Sequence, residues 1–163
     1  MNQLIVSQPG GTYIPYAYEG VSAPFSDTDK EGGHHEVHHI VQMPVVGQPQ
    51  KSNPSTSTEV VGDIRRNIAN SPTNEGNRHL VALCTLDGCI RVMMKGGKQW
   101  ELQVDHSLFA ITKLDLTGNG EDEIIACAWD GMTYIVDQYK NVIRYRFEEA
   151  VASFCAGLLN VVA

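Results

Sequence analysis

Displaced against itself by 43 residues, the chain lays Cys84 on Cys127, Asp87 on Asp130 and Gly88 on Gly131. The same displacement sets Val92 against Ile135, Trp100 against Ile143, Leu102 against Tyr145 and Val104 against Phe147. The apolar positions of three consecutive runs therefore stay in phase. Within a run the alternation is that of a strand: Trp100, Leu102 and Val104 interleave with Glu101 and Gln103, which puts one set of side chains on each face. Asp87-Gly88 and Asp130-Gly131 are hairpin signals, because glycine accepts the positive φ of a tight reversal. A period of about 40 to 45 residues carrying four short strands is the signature of β-propeller blades. The expected class is all-β, a partial propeller of about two complete four-stranded blades plus partial blades.

A third, partial copy stands at the start, where LIVSQPGGTYI matches ALCTLDGCIRV with a displacement of 78. The expected organisation is a partial-blade hairpin over 1–16, a flexible Ser/Pro/His-rich loop over 17–58, a blade over 59–105, a second blade over 106–149, and the first strand of a further, truncated blade over 150–163. Within the loop, Val37 to Met43 offers one short island for a strand, since Val37, Ile40 and Val41 are β-branched. A ring needs several blades to close, so this count predicts a fragment or shortened form of a longer propeller.

Leu114 to Asp130 carries the most chemistry. Asp115, Thr117 and Asn119 fall at alternate positions, Gly120 follows, and Glu123 closes a nine-residue loop before the apolar run Ile124 to Ala128. Alternate side-chain oxygens, a glycine at the sharp turn and a later carboxylate are the grammar of a calcium loop. An EF-hand would place its last Glu three residues further on and flank the loop with helices; here the loop joins two strands. A bound calcium would take side-chain oxygens from Asp115, Asn119 and Glu123, the hydroxyl of Thr117 and the backbone carbonyl of Glu121. The metal-free alternative has Asp115 capping loop amides while Gly118 and Gly120 take positive φ. In the earlier copy the matching loop, Asn70 to Arg78, has Pro, Thr, Asn and Gly in place of the acidic ligands.

A loop of this kind between strands resembles the FG-GAP repeat of integrin α-chain propellers, where it joins the innermost strand of a blade to the next. The segments QLIVSQPGGTY, LVALCTLDG, VDHSLFAITKLDLTGNGEDEIIACAWDGMTYIVD and SFCAGL resemble more closely the FG-GAP repeat-containing family represented in the KICSTOR complex. That resemblance implies an FG-GAP propeller acting as a non-enzymatic scaffold subunit. Its implied partners are the other KICSTOR subunits and the GTPase-activating complex for Rag GTPases. Its implied place is the cytoplasm, with recruitment to the lysosomal membrane, where it restrains target-of-rapamycin signalling when amino acids are scarce. No cofactor is required on this reading, with calcium the one candidate. FG-GAP calcium loops usually carry Asp or Asn at the third position and Asp at the ninth. Thr117 and Glu123 depart from that pattern with a weaker ligand and a longer arm. The alternative class is a calcium-dependent, integrin-like extracellular adhesion module.

Composition narrows the partners. Twelve basic against nineteen acidic residues give a net charge of −7, which disfavours a nucleic-acid groove and an anionic membrane surface. MNQLIVSQPGG has no basic segment of a secretory signal, and no apolar run approaches the roughly 18 residues of a membrane span. Cys84, Cys89, Cys127 and Cys155 show no CxxC spacing and read as reduced structural thiols; Cys84 and Cys89 flank one turn, so an oxidised pair stays open. There is no GxSxG, GxxxxGK[ST] or HExxH, and no enzyme is expected. The cluster His34, His35, Glu36, His38 and His39 reads either as a zinc site or as histidines tolerated in a solvated loop. His79 and His106 read as strand-edge residues without an acid partner. Trp129, Tyr134 and Tyr145 read either as anchors for a partner or as packing between blades.

Overall fold

The computed structural model describes residues 2–18, 41–42, 55–66, 79–94 and 97–158. Eleven strands and no helix occur among the described residues. They are β1 (Asn2–Gln8), β2 (Thr12–Tyr18), β3 (Val41–Gln42), β4 (Thr58–Arg65), β5 (His79–Thr85), β6 (Cys89–Met94), β7 (Gly97–Gln103), β8 (Leu108–Leu114), β9 (Glu123–Ala128), β10 (Met132–Val136) and β11 (Val142–Arg146). They form three antiparallel sheets in chain order, β1-β2-β3, β4-β5-β6-β7 and β8-β9-β10-β11. This is the all-β arrangement of partial propeller blades that the repeat predicts.

The repeat extends to turns and to contacts between sheets. Pro9-Gly10-Gly11, Leu86-Asp87-Gly88 and Trp129-Asp130-Gly131 each join the two strands of a hairpin, and each ends on a glycine at positive φ: +73° for Gly11, +88° for Gly88 and +85° for Gly131. The Gly88 to Gly131 interval is the 43 read from the sequence. Gly11 and Gly88 are 77 apart, one less than the sequence match, which aligned Gly10 with Gly88. Two successive glycines disguised the register, and the strand ends select the second. Tertiary hydrogen bonds recur too: Val104 N donates to Gly88 O at 2.8 Å and Phe147 N to Gly131 O at 3.0 Å. Likewise Leu86 N donates to Ser57 O at 3.0 Å and Trp129 N to Ser107 O at 3.2 Å.

Several boundaries differ from the sequence reading. β2 runs on to Tyr18, and β3 pairs with it at Tyr16 and Ala17, both strands reaching into the stretch read as loop. Of the Val37–Met43 island only Val41–Gln42 is a described strand. β7 opens at Gly97, three residues before the Trp100 alternation read from the sequence. The His34–His39 cluster and the Asn70–Arg78 loop lie outside the described residues.

Alternation explains how the sheets stack. On β5, Leu80, Ala82 and Cys84 join Ile90 and Val92 of β6 in a core shared with Leu108, Ile124, Ala126, Ala128, Tyr134 and Val136 of the third sheet; Trp100 and Leu102 of β7 pack on it. The other face of the middle sheet, with Val81, Leu83 and Met93, packs against Ile5 and Tyr13 of the first sheet. Two covered faces require β5 and β6 to be apolar almost throughout. Arg91, 6% exposed, adds a polar tie between these two sheets: its Nη1 donates to Gly11 O at 3.0 Å while its Nε binds Glu101 Oε2 at 2.9 Å.

Candidate functional site

The acidic loop between β8 and β9 is closed by its own side chains. Asp115 Oδ1 accepts from Gly118 N at 2.7 Å and Asn119 N at 3.1 Å, and Oδ2 accepts from Gly120 N at 2.9 Å. Asn119 Oδ1 accepts from Glu121 N at 2.7 Å. Glu123, 8% exposed at the head of β9, accepts from Leu116 N at 2.7 Å and from the Thr117 hydroxyl at 3.4 Å. Gly118 and Gly120 sit at φ +70° and +83°. The side-chain oxygens of Asp115, Asn119 and Glu123 that would enter a calcium shell are thus turned onto the loop's own amides, the pattern of an Asx-capped turn. Among the described residues no group of three or more His, Cys, Asp or Glu side chains is placed to hold a metal.

The sequence reading missed the residue that anchors this loop to the rest of the molecule. Asp122 is 3% exposed and faces β4 of the neighbouring sheet. Its carboxylate takes Arg65 N at 2.8 Å (Oδ2), Arg65 Nη2 at 2.7 Å (Oδ1) and Arg65 Nε at 3.1 Å (Oδ1), while Asp122 N donates to Arg65 O at 3.0 Å. Lys113 Nζ stands 3.7 Å from Oδ2 and also bonds the backbone oxygen of Asp63. Gln138 Nε2 closes the cluster on Asp122 O at 2.7 Å. Burial acts most strongly on the Asp122 carboxyl and raises its pKa. The opposing bonds from Arg65 and the charge of Lys113 together outweigh it and hold the group below its ordinary range. β4 reaches Asp122 through an irregularity between Val61 and Ile64, with Asp63 in the left-handed region at φ +56°. The one sequence cue was a run of three carboxylates, Glu121, Asp122 and Glu123, leading into a strand buried throughout, where an acid needs a partner.

The remaining candidates separate by position. His106 gains an acid partner after all: its Nδ1 lies 2.8 Å from Asp130 Oδ2, because the segment leading into β8 crosses the Trp129-Asp130-Gly131 turn. Burial pulls the Asp130 carboxyl upward, and Met132 N–H and His106 together bring it below its ordinary pKa. Tyr134 is buried between the sheets. Trp129 stacks on Phe109 at 4.0 Å between ring centroids and stays half exposed, and Tyr145 is 57% exposed. No disulfide joins the cysteines; burial, with the nearby Glu59 charge, pushes the Cys84 thiol up to about 12, and burial also raises Cys127. Both stay protonated and inert at neutral pH.

A family model described as integrin-alpha FG-GAP repeat-containing protein 2 matches residues 1–163. A mouse protein named KICSTOR complex protein ITFG2 is 40% identical over 162 residues, 95% of this chain and 35% of the mouse protein. A bovine protein of the same name is 47% identical over 95 residues, 58% of this chain and 18% of the bovine protein. The chain thus spans about a third or less of the curated relatives it matches. No solved structure matches it. With a family match running from the first residue to the last, over sheets that repeat in register, the chain belongs to the family of integrin-alpha FG-GAP repeat-containing protein 2.

Proposed function

We propose that this chain is a non-enzymatic propeller scaffold and a subunit of the KICSTOR complex. In this reading it binds the other KICSTOR subunits and the GTPase-activating complex for Rag GTPases. It works in the cytoplasm and at the lysosomal membrane, restraining target-of-rapamycin signalling when amino acids are scarce. The observation that carries the reading is the family match over the whole chain, joined to relatives named for that complex. Support comes from the use made of the polar groups: Asp115, Asp122 and Glu123 hold loop amides and a neighbouring sheet, which is structural work. The experiment is copurification from cells starved of amino acids, with the tagged chain beside a tagged full-length relative. The chain is expected to retrieve KICSTOR subunits. Retrieval by the relative and none by the chain overturns the reading for this chain.

We further propose that the loop 115–123 needs no calcium. A site occupied at a hundred times its dissociation constant would add about 2.7 kcal/mol, a rise of several degrees in Tm for a domain of this size. The expected result is a change of less than about 1 °C between excess calcium and a chelator, because the loop amides are already satisfied. A rise of about 4 °C or more would reinstate the ion, with Asp115, Thr117, Asn119, Glu121 and Glu123 as its ligands, and would favour the extracellular adhesion reading.

A further inference from the structure

Of the asparagines in the chain only Asn119 precedes a glycine, and it does so in the exposed part of the loop between β8 and β9. An asparagine can be attacked at its side-chain carboxamide by the amide nitrogen of the next residue. Glycine in that next position leaves the nitrogen open, because it carries no Cβ. The space beside Gly120 is clear as well: a Cβ built there would meet nothing within 4 Å.

The loop's hydrogen bonds supply the other groups this reaction needs. Gly120 N–H is directed at Asp115 Oδ2, 2.9 Å away, so the proton that must leave the attacking nitrogen already faces a carboxylate. Asp115 Oδ1 accepts from Gly118 N at 2.7 Å and Asn119 N at 3.1 Å, and these bonds hold that carboxylate in place. Asn119 Oδ1, the oxygen on which charge develops when Cγ is attacked, accepts from Glu121 N at 2.7 Å, which sets an oxyanion donor in position beforehand. The same bond spans the Gly120 residue and folds the carboxamide back over it, beside the nitrogen that attacks. Asn141 is the contrast. It too is exposed in an acid-capped turn, but its carboxamide nitrogen donates to Asp137 Oδ2 at 2.7 Å, and it precedes Val142, whose branched side chain crowds the nitrogen that would attack.

We propose that Asn119 is a self-modifying site, which the folded loop converts to a mixture of aspartyl and isoaspartyl residues. Gly120 N forms a bond to Asn119 Cγ while Asp115 Oδ2 takes its proton. The bond from Cγ to Nδ2 then breaks as that proton passes to Nδ2, which leaves as ammonia, and a succinimide ring remains. Water opens the ring. Addition at Cγ yields an aspartyl residue; addition at the main-chain carbonyl carbon yields an isoaspartyl residue, whose backbone runs through the former side chain. Either product adds a negative charge to a loop that already holds Asp115, Glu121, Asp122 and Glu123. The isoaspartyl form also lengthens the backbone by a methylene between Asp115 and Asp122, the two residues that close the loop and fasten it to Arg65.

The test incubates the purified chain at neutral pH with a chelator, folded in buffer and unfolded in guanidinium chloride. Peptide mapping by mass spectrometry, with isoaspartyl methyltransferase labelling, reads each asparagine. Position 119 is expected to convert roughly tenfold faster or more in the folded chain, since unfolding removes both the base and the oxyanion donor. Asn141 is expected to stay intact over the same period. Asp115→Asn keeps a side-chain oxygen for the loop amides but is a far poorer base, and it is expected to bring the folded rate down toward the unfolded one. Conversion of the folded chain no faster than the unfolded chain overturns the proposal. So does a folded Asp115→Asn protein that converts as fast as the native one, or an Asn141 that keeps pace with Asn119. If circular dichroism shows that Asp115→Asn does not fold, the native chain compared with and without denaturant still decides.

Discussion

Gly88→Ala is expected to lower folding stability by about 4 kcal/mol, the sum of a left-handed backbone penalty of roughly 1–2 kcal/mol and an overpacking cost of roughly 1–3 kcal/mol. Gly88 sits at φ +88°, and a Cβ there would lie 2.2 Å from Val104 O and 2.8 Å from His106 O. Both obstacles are backbone, and they belong to the linker that crosses from one sheet to the next. Moving it would loosen the Val104 N to Gly88 O bond and the His106–Asp130 contact together. Gly131 is the same position one repeat later, where a Cβ would meet Glu149 O at 2.7 Å and Phe147 O at 3.0 Å. Gly131→Ala is expected to cost about 3 kcal/mol, since the contacts are looser and the crossing segment lies at the exposed end of the stack. Gly118 and Gly120 share the positive φ, but a Cβ on either would meet nothing within 4 Å, so alanine there should cost only about 1 kcal/mol each. Urea midpoints measured across the four proteins separate backbone strain from collision. Equal shifts at Gly88 and Gly120 would show that the linker gives way freely. Against a total of roughly 5–15 kcal/mol for a domain, the Gly88 change leaves little reserve.

What the sequence made legible follows the range of the interactions. From Leu80 onward the strands are set by short apolar runs, by the alternation of β7 and by Asp-Gly turns, and a 43-residue displacement carries Cys84, Gly88 and Trp100 onto structural equivalents in the third sheet. The acidic loop was legible as a turn because Asp115 bonds amides only three to five residues away. Interactions that depend on distant chain were hidden. Nothing local announces that Asp122 will meet Arg65, 57 residues earlier, or that His106 will meet Asp130. The two-residue β3 carries too little pattern to delimit, and the irregularity at Gly62-Asp63 interrupts the alternation of β4 just where it turns toward the third sheet. The doubled glycine at Gly10-Gly11 shows the limit in register: composition marks a turn, and only the strand ends decide which glycine closes it.

Asp122→Asn is expected to destabilise the chain by about 2–3 kcal/mol at neutral pH, the range for buried hydrogen bonds to a charged group. Arg65 is 52% exposed, so water screens much of the ion pair, and the larger share comes from the buried carboxylate's bonds to Arg65 N–H and to the guanidinium edge it faces. Arg65→Ala leaves that backbone N–H in place, with Lys113 at 3.7 Å, and removes a solvent-screened guanidinium, so it should cost less than Asp122→Asn. The pH dependence separates charge from shape. The folded pKa of Asp122 lies below its unfolded value of about 3.9, so its contribution is complete above that pH and is lost as the pH falls through the folded pKa. The gap between native and Asp122→Asn proteins should therefore be widest near neutrality and close progressively below about pH 4. Chemical denaturation of both proteins from about pH 7 down to about pH 3 reads this directly. A gap that stays constant over that range would mean that the amide fails by geometry alone and that the charge of Asp122 holds nothing. A gap that closes identifies this carboxylate as the acid-labile fastening between the second and third sheets, the interface on which any larger ring would depend.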